Sequence, residues 1–196
     1  MTKNIILCGV GGQGTVLASR LISTCAMKKG WQVMSAETIG MAQRGGSVFS
    51  HLRLSDPDQP AADRPAGPMI APGTADLILG FEPGETVRML PYLKPEGAVV
   101  TADRGVTPVT VSLTGENYDP AEMVAYLRKK VKNLTVLETE RALKEVGSTK
   151  VLNLILLGAA VRSGALGLEE AEIRAAMEQL VPPRFLELNR KALAWS

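Results

Sequence analysis

Hydrophobic residues along this chain occur in two kinds of run. Ile5 to Cys8 is continuously apolar, the pattern of a strand buried on both faces, and Val16 to Met27 has the apolar spacing of a helix packed on a sheet. Gln32 to Ala36 reads as a second strand. Ser47 to Leu54 alternates, with Val48, Leu52 and Leu54 pointing one way and Ser47, Phe49, His51 and Arg53 the other. Asp76 to Phe81 reads as another buried strand, Glu85 to Leu93 as a helix closed by Pro95 and Gly97, and Ala98 to Ala102 as the next strand. A further strand at Val109 to Leu113, a helix at Pro120 to Lys132 and a strand at Leu134 to Leu137 continue the series. Beyond it the pattern is helical: Glu138 to Arg162 as one or two helices interrupted near Gly147, then Leu168 to Leu180 and Pro183 to Ala194. Strands separated by helices imply a mostly parallel sheet covered on both faces. The expected architecture is α/β: a single Rossmann-like three-layer domain over residues 1–196 with a helical C-terminal third.

One stretch breaks this rhythm. Residues 55–73 carry Pro57, Pro60, Pro65, Pro68 and Pro72, a composition for a loop and not for a helix or central strand. A loop of that length inside a compact domain is usually functional or a contact surface.

Composition narrows the function classes. A length of 196 residues suffices to bury a core without metal or disulfide staples. The formal charge of +2, from 22 basic and 20 acidic residues, gives no reason to invoke nucleic acid or membrane. The one basic cluster, Arg128, Lys129, Lys130 and Lys132, ends a predicted helix, where cations complement the helix dipole, and reads as a solvated face. Cys8 and Cys25 are the only cysteines and form no C-x-x-C pair, so this chain cannot ligate an iron–sulfur cluster by itself; with one His, it also lacks the ligands of a structural zinc site. The first strand begins almost at once, without a signal-peptide pattern, and a reducing cytoplasm is the expected setting. Val151 to Val161, the longest apolar run, is too short to cross a bilayer and reads as a buried helix.

Candidate chemistry concentrates between the first strand and the first helix. Gly9, Gly11, Gly12 and Gly14, with Gln13 and Thr15, form a turn whose glycines allow positive φ and close backbone approach, at a helix N-terminus suited to an anion. Gly9, Gly11 and Gly14 satisfy G-x-G-x-x-G, and Glu37 lies 23 positions beyond Gly14, near where a Rossmann fold places its ribose-binding acid. NAD or FAD binding and a purely structural βα turn both fit. A P-loop fits less well, because Thr15 stands where Lys is required. The stretch from Glu37 to Ser47 adds Gln43, Arg44, Gly45 and Gly46, which offer an amide, a guanidinium and bare backbone donors. It reads either as an anion or carboxylate cradle or as a structural turn holding neighbouring loops or a partner.

Other residues carry weaker signals. His51, the single histidine, reads as a half-buried strand residue before it reads as a catalyst. No G-x-S-x-G elbow surrounds a serine. Glu82, Asp103 and Glu138 each follow an apolar strand, as terminating acids do, and Asn153 and Asn189 read as helix residues that satisfy backbone or an interface.

Four stretches carry a family resemblance: GVGGQG at Gly9 to Gly14, ETIGMAQRGGSVFSHLRLS at Glu37 to Ser55, ADLILGFEPGE at Ala75 to Glu85, and NLILLGAA at Asn153 to Ala160. Together these resemble the gamma domain of the 2-oxoacid:ferredoxin oxidoreductases, closest to the separate small beta subunits of the indolepyruvate branch. The resemblance implies a subunit of an enzyme that oxidatively decarboxylates an aryl-pyruvate with coenzyme A, giving an aryl-acetyl-CoA, carbon dioxide and reduced ferredoxin. It places thiamine diphosphate and the iron–sulfur clusters on a large alpha subunit, with ferredoxin reached through the complex. This chain also lacks a G-D-G thiamine diphosphate motif and should be inactive alone. The resemblance leaves Gly11 to Thr15 as a cradle for a phosphate-bearing part of coenzyme A, with Gln43 and Arg44 facing the ligand or the partner. Two other readings stand beside it: an independent NAD(P)- or flavin-binding reductase, and a ligand-free assembly module. Homo-oligomerisation in isolation is open.

Overall fold

In the computed structural model, which describes residues 2–38, 45–107, 111 and 117–195, the first apolar run becomes the strand β1 (Thr2–Val10), and the helical spacing after the glycine turn becomes α1 (Thr15–Lys28). The chain continues through β2 (Gln32–Glu37), β3 (Ser47–Ser55), β4 (Ala75–Gly80), α2 (Pro83–Met89), β5 (Leu93–Ala102), α3 (Pro120–Lys130) and β6 (Asn133–Leu137). Four helices complete it: α4 (Thr139–Val146), α5 (Leu152–Arg162), α6 (Glu170–Leu180) and α7 (Pro183–Ala194). Gly147, at φ 90°, ends α4 in the left-handed conformation that glycine adopts without a Cβ penalty, which is the break expected at that position. The strand expected at Val109 to Leu113 lies, apart from Val111, outside the described residues.

The six-stranded sheet has the order β2-β3-β1-β4-β5-β6. β1, β4, β5 and β6 are parallel, whereas β3 runs antiparallel to both β1 and β2. The expectation of a mostly parallel sheet therefore holds for the β1-β4-β5-β6 block and is modified at β3. The reason is the connection: a parallel return needs a crossover of a dozen or more residues, and the span between Glu37 and Ser47 is too short for one.

Alternation along the strands divides the core into two faces. Ile5, Leu7, Leu52, Leu54, Leu77, Leu79 and Val100 pack with α1, α5 and the other C-terminal helices. Ile6, Cys8, Ile78 and Val99 meet Met89 of α2, Leu127 of α3, and Ile70. Ile70 belongs to the proline-rich loop, which supplies the cover over β1 and β3 that a crossover helix would otherwise provide. Arg53 holds the loop by donating to the Gly67 carbonyl at 3.1 Å, and His51 Nδ1 accepts the Ile70 N–H at 3.0 Å. Among the described residues, no helix is long and apolar enough to cross a membrane.

His51 is buried, 1% exposed, with its ring edge-on to Phe49 and Tyr92. Its Nε2 has no hydrogen-bond partner among the described residues. An Nδ1 that accepts requires the neutral ring, and burial pushes the His51 pKa below its ordinary value. The unfolded chain therefore takes up a proton that the folded chain refuses as pH falls below about 6.5. Stability is expected to be fully present above that pH and to fall through this group as pH is lowered from about 7.5 to about 5.5. Urea unfolding at the two pH values measures it, and His51→Gln should remove that part of the slope.

Candidate functional site

The turn between β1 and α1 is built mainly by its own residues. The Gln13 N–H donates to the Val10 carbonyl at 3.2 Å, and Gly12 and Gly14 take φ values of 102° and 84°, a region that favours glycine. The Gln13 side chain folds inward: Oε1 accepts the Val10 N–H at 2.7 Å and Nε2 donates to the Phe81 carbonyl at 3.0 Å. Its amide is therefore committed to stapling the end of β1 to the segment between β4 and α2. Gly9 makes room for that staple, since a Cβ there would stand 2.7 Å from Gln13 Oε1 and 2.8 Å from Phe81 Cβ. Behind the turn, buried Asn153 at the start of α5 directs Nδ2 at the Gly14 carbonyl, 3.4 Å away, and accepts the Leu154 N–H at 3.0 Å.

The two glycine stretches meet. The Gly11 N–H donates to the Gly46 carbonyl at 2.8 Å, and the Gly45 N–H approaches the Gly11 carbonyl at 3.5 Å. Gln43 and Arg44 lie outside the described residues. Glu37 ends β2 opposite Ser50 of β3. β3 therefore separates it from β1, about 10 Å across the sheet, where a Rossmann fold has its ribose-binding acid on the strand beside β1.

What the turn presents outward is backbone. Gly12 is exposed, and a Cβ there would meet nothing within 4 Å. Among the described residues α1 starts with no side-chain cap, and its first turn holds no acidic residue, an arrangement of N–H groups and positive dipole end that suits an anion. Gly12, Gln13 and Gly14 form one wall of a cleft of about 490 Å³ whose other wall carries Arg104, Val106, Thr139, Thr149 and Lys150. Arg104 follows β5, and Lys150 lies in a short 3₁₀ turn, Thr149–Val151, leading into α5. Both are exposed, and among the described residues neither joins an ion pair and no carboxylate lines the cleft. The cleft opens at the carboxyl ends of β1 and β5, where ligands of open α/β sheets bind.

Two of the nearby acids, Glu82 and Asp103, serve the backbone. Glu82 caps α2 by accepting the Glu85 N–H at 2.8 Å and also accepts the Tyr118 hydroxyl. Burial first, and then that bond, push the Tyr118 pKa up and keep its phenol a donor. Asp103 accepts the Thr139 N–H at 2.9 Å and the Thr139 hydroxyl, tying the start of α4 to the end of β5. Glu138 faces Arg141 on the surface. Asn189 donates to the Phe185 carbonyl at 2.7 Å. Burial pushes the Cys25 thiol up to about 11 and the Cys8 thiol higher still, so neither is a thiolate at neutral pH.

Sequence reasoning missed Arg104 and Lys150. Arg104 had a usable signal, its place directly after a parallel strand. Lys150 had none, because the return of α5 across the sheet to the glycine turn is a tertiary event.

Residues 4–194 match the family model described as pyruvate ferredoxin/flavodoxin oxidoreductase. An indolepyruvate oxidoreductase subunit, IorB, of Methanothermobacter thermautotrophicus is 33% identical over 98% of this chain and 94% of its own length. The pyruvate oxidoreductase subunit PORC of Thermotoga maritima has a similar fold, with a TM-score of 0.69 at 20% identity over 98% of this chain and 93% of that one. The 2-oxoglutarate:ferredoxin oxidoreductase of Magnetococcus marinus, solved with 2-oxoglutarate, coenzyme A and succinyl-CoA bound, also gives a TM-score of 0.69, at 18% identity. That match covers 98% of this chain and 30% of that one.

Proposed function

This chain belongs to the pyruvate ferredoxin/flavodoxin oxidoreductase family as a small subunit of a 2-oxoacid:ferredoxin oxidoreductase, and on that premise we propose that it serves an indolepyruvate-type complex by holding a phosphate-bearing part of coenzyme A in the glycine-turn cleft. The observation that carries this reading is the convergence, in one cleft with no carboxylate among its described lining residues, of the exposed Gly12 backbone, the start of α1, Arg104 and Lys150. In the proposed role the α1 N–H groups and the two cations neutralise phosphate charge, while the inward Gln13 and Asn153 keep the turn rigid.

The residues of this chain do not fit the redox centres. Its two cysteines are buried at separate places, and among the described residues no group of three His, Cys, Asp or Glu side chains is arranged to hold a metal ion. Thiamine diphosphate, which supplies the decarboxylation chemistry, and the iron–sulfur clusters are assigned to a large alpha subunit, with ferredoxin as acceptor through the complex. The test is anaerobic reconstitution with that subunit. Indolepyruvate- and coenzyme A-dependent reduction of ferredoxin should occur in the mixture and with neither chain alone. Activity of this chain alone with NAD(P)H or a flavin would contradict the proposal.

A further inference from the structure

A second cleft, of about 400 Å³, lies on the opposite side of the sheet from α1, between α2 and α3. Val87, Leu90, Pro91 and Val131 contribute apolar surface, and Tyr126, 45% exposed, stands at its edge with the Lys130 ammonium 5.8 Å from the ring centroid. Lys132, paired with Glu96 at 3.1 Å, is on the same rim. Arg128, Lys129 and Lys130 are exposed in succession and find no carboxylate among the described residues. A helix C-terminus gains from a cation in its last turn, but three neighbouring cations also repel one another. A cleft with apolar side chains, an exposed tyrosine and, among its lining cations, a Lys130 that joins no ion pair among the described residues while Lys94 and Lys132 pair with Asp76 and Glu96, has the composition of an anchor point in a protein interface.

We propose that this cleft receives a segment of the large subunit that seats an apolar side chain beside Tyr126 and sets carboxylates against Lys130 and the neighbouring Lys129. The proposal rests on the reading of the chain as a subunit of a complex. Charge complementarity sets the sign of the occupant. The apolar floor favours a lasting subunit contact over a transient electron carrier, whose small encounter surface can be held by charge.

The experiment measures the affinity of the two purified subunits at several salt concentrations. Tyr126→Ala should weaken association about tenfold, which is about 1.4 kcal/mol. Lys129→Glu with Lys130→Glu should weaken it by at least as much and flatten its salt dependence. Arg20→Glu, at an exposed position of α1 across the sheet, should change neither. Circular dichroism and melting curves establish that each variant is folded, as exposed positions lead one to expect. Folded groove variants that associate like the wild type, or that change only the KM for ferredoxin, overturn the docking proposal and leave the subunit reading intact. Failure of the wild-type chains to associate overturns both.

Discussion

Replacing Gly158 with alanine is expected to lower the melting temperature by about 6–12 °C, a loss of about 3 kcal/mol in a domain of this size. A Cβ at that position would stand 2.0 Å from the Leu193 carbonyl oxygen, a backbone atom near the end of α7. The same carbonyl accepts Arg162 Nη1 at 3.0 Å, and an added Cβ would also crowd that nitrogen at 3.1 Å. Relief would require α5 and α7 to part, and α5 is buried on nearly every side from Asn153 to Ala160. Because α5 also carries Asn153 to the glycine turn, the cleft should loosen with the core. A melting temperature within a degree or two of wild type would show that the end of α7 moves aside at little cost.

The turn glycines are expected to separate folding from binding. Gly14→Ala puts a Cβ into the left-handed region and within 2.6 Å of Asn153 Nδ2, and should cost about 2–4 kcal/mol of stability. Gly12→Ala shares the positive φ but meets no neighbour within 4 Å, so about 1 kcal/mol is expected. Its added methyl would project where ligand phosphate must approach the backbone. In the assembled complex Gly12→Ala should therefore raise the KM for coenzyme A about tenfold while melting close to wild type. A folded Gly12→Ala complex with unchanged KM would leave the turn as a structural feature only.

Much of this fold is legible in the chain, for identifiable reasons. Ile5 to Cys8 is apolar at every position because β1 is central and covered on both faces, and Gly147 marks a helix end because the backbone there needs positive φ. The orientation of β3 is less visible, since the alternation of Ser47 to Leu54 is the same for either direction. The short link from Glu37 was the available clue. The inward turn of the Gln13 side chain is hidden for a related reason: Phe81, which accepts from its amide, is distant in sequence. Gly11 meets Gly45 and Gly46 because the pairing of Val10 with Ser47 brings both stretches to one end of the sheet, whereas Lys150 reaches the cleft only through the packing of α5. NLILLGAA, which helped carry the resemblance, also holds two structural devices, the Asn153 buttress and the Gly158 contact.

The most direct measurement is a calorimetric titration of the assembled complex with coenzyme A and, separately, with NADH, repeated on an Arg104→Glu, Lys150→Glu double variant. Coenzyme A should bind the wild-type complex, NADH should not, and the double variant should bind coenzyme A at least tenfold more weakly. Tight NADH binding without coenzyme A binding, or coenzyme A affinity unchanged in a folded double variant, would contradict the assignment of this cleft.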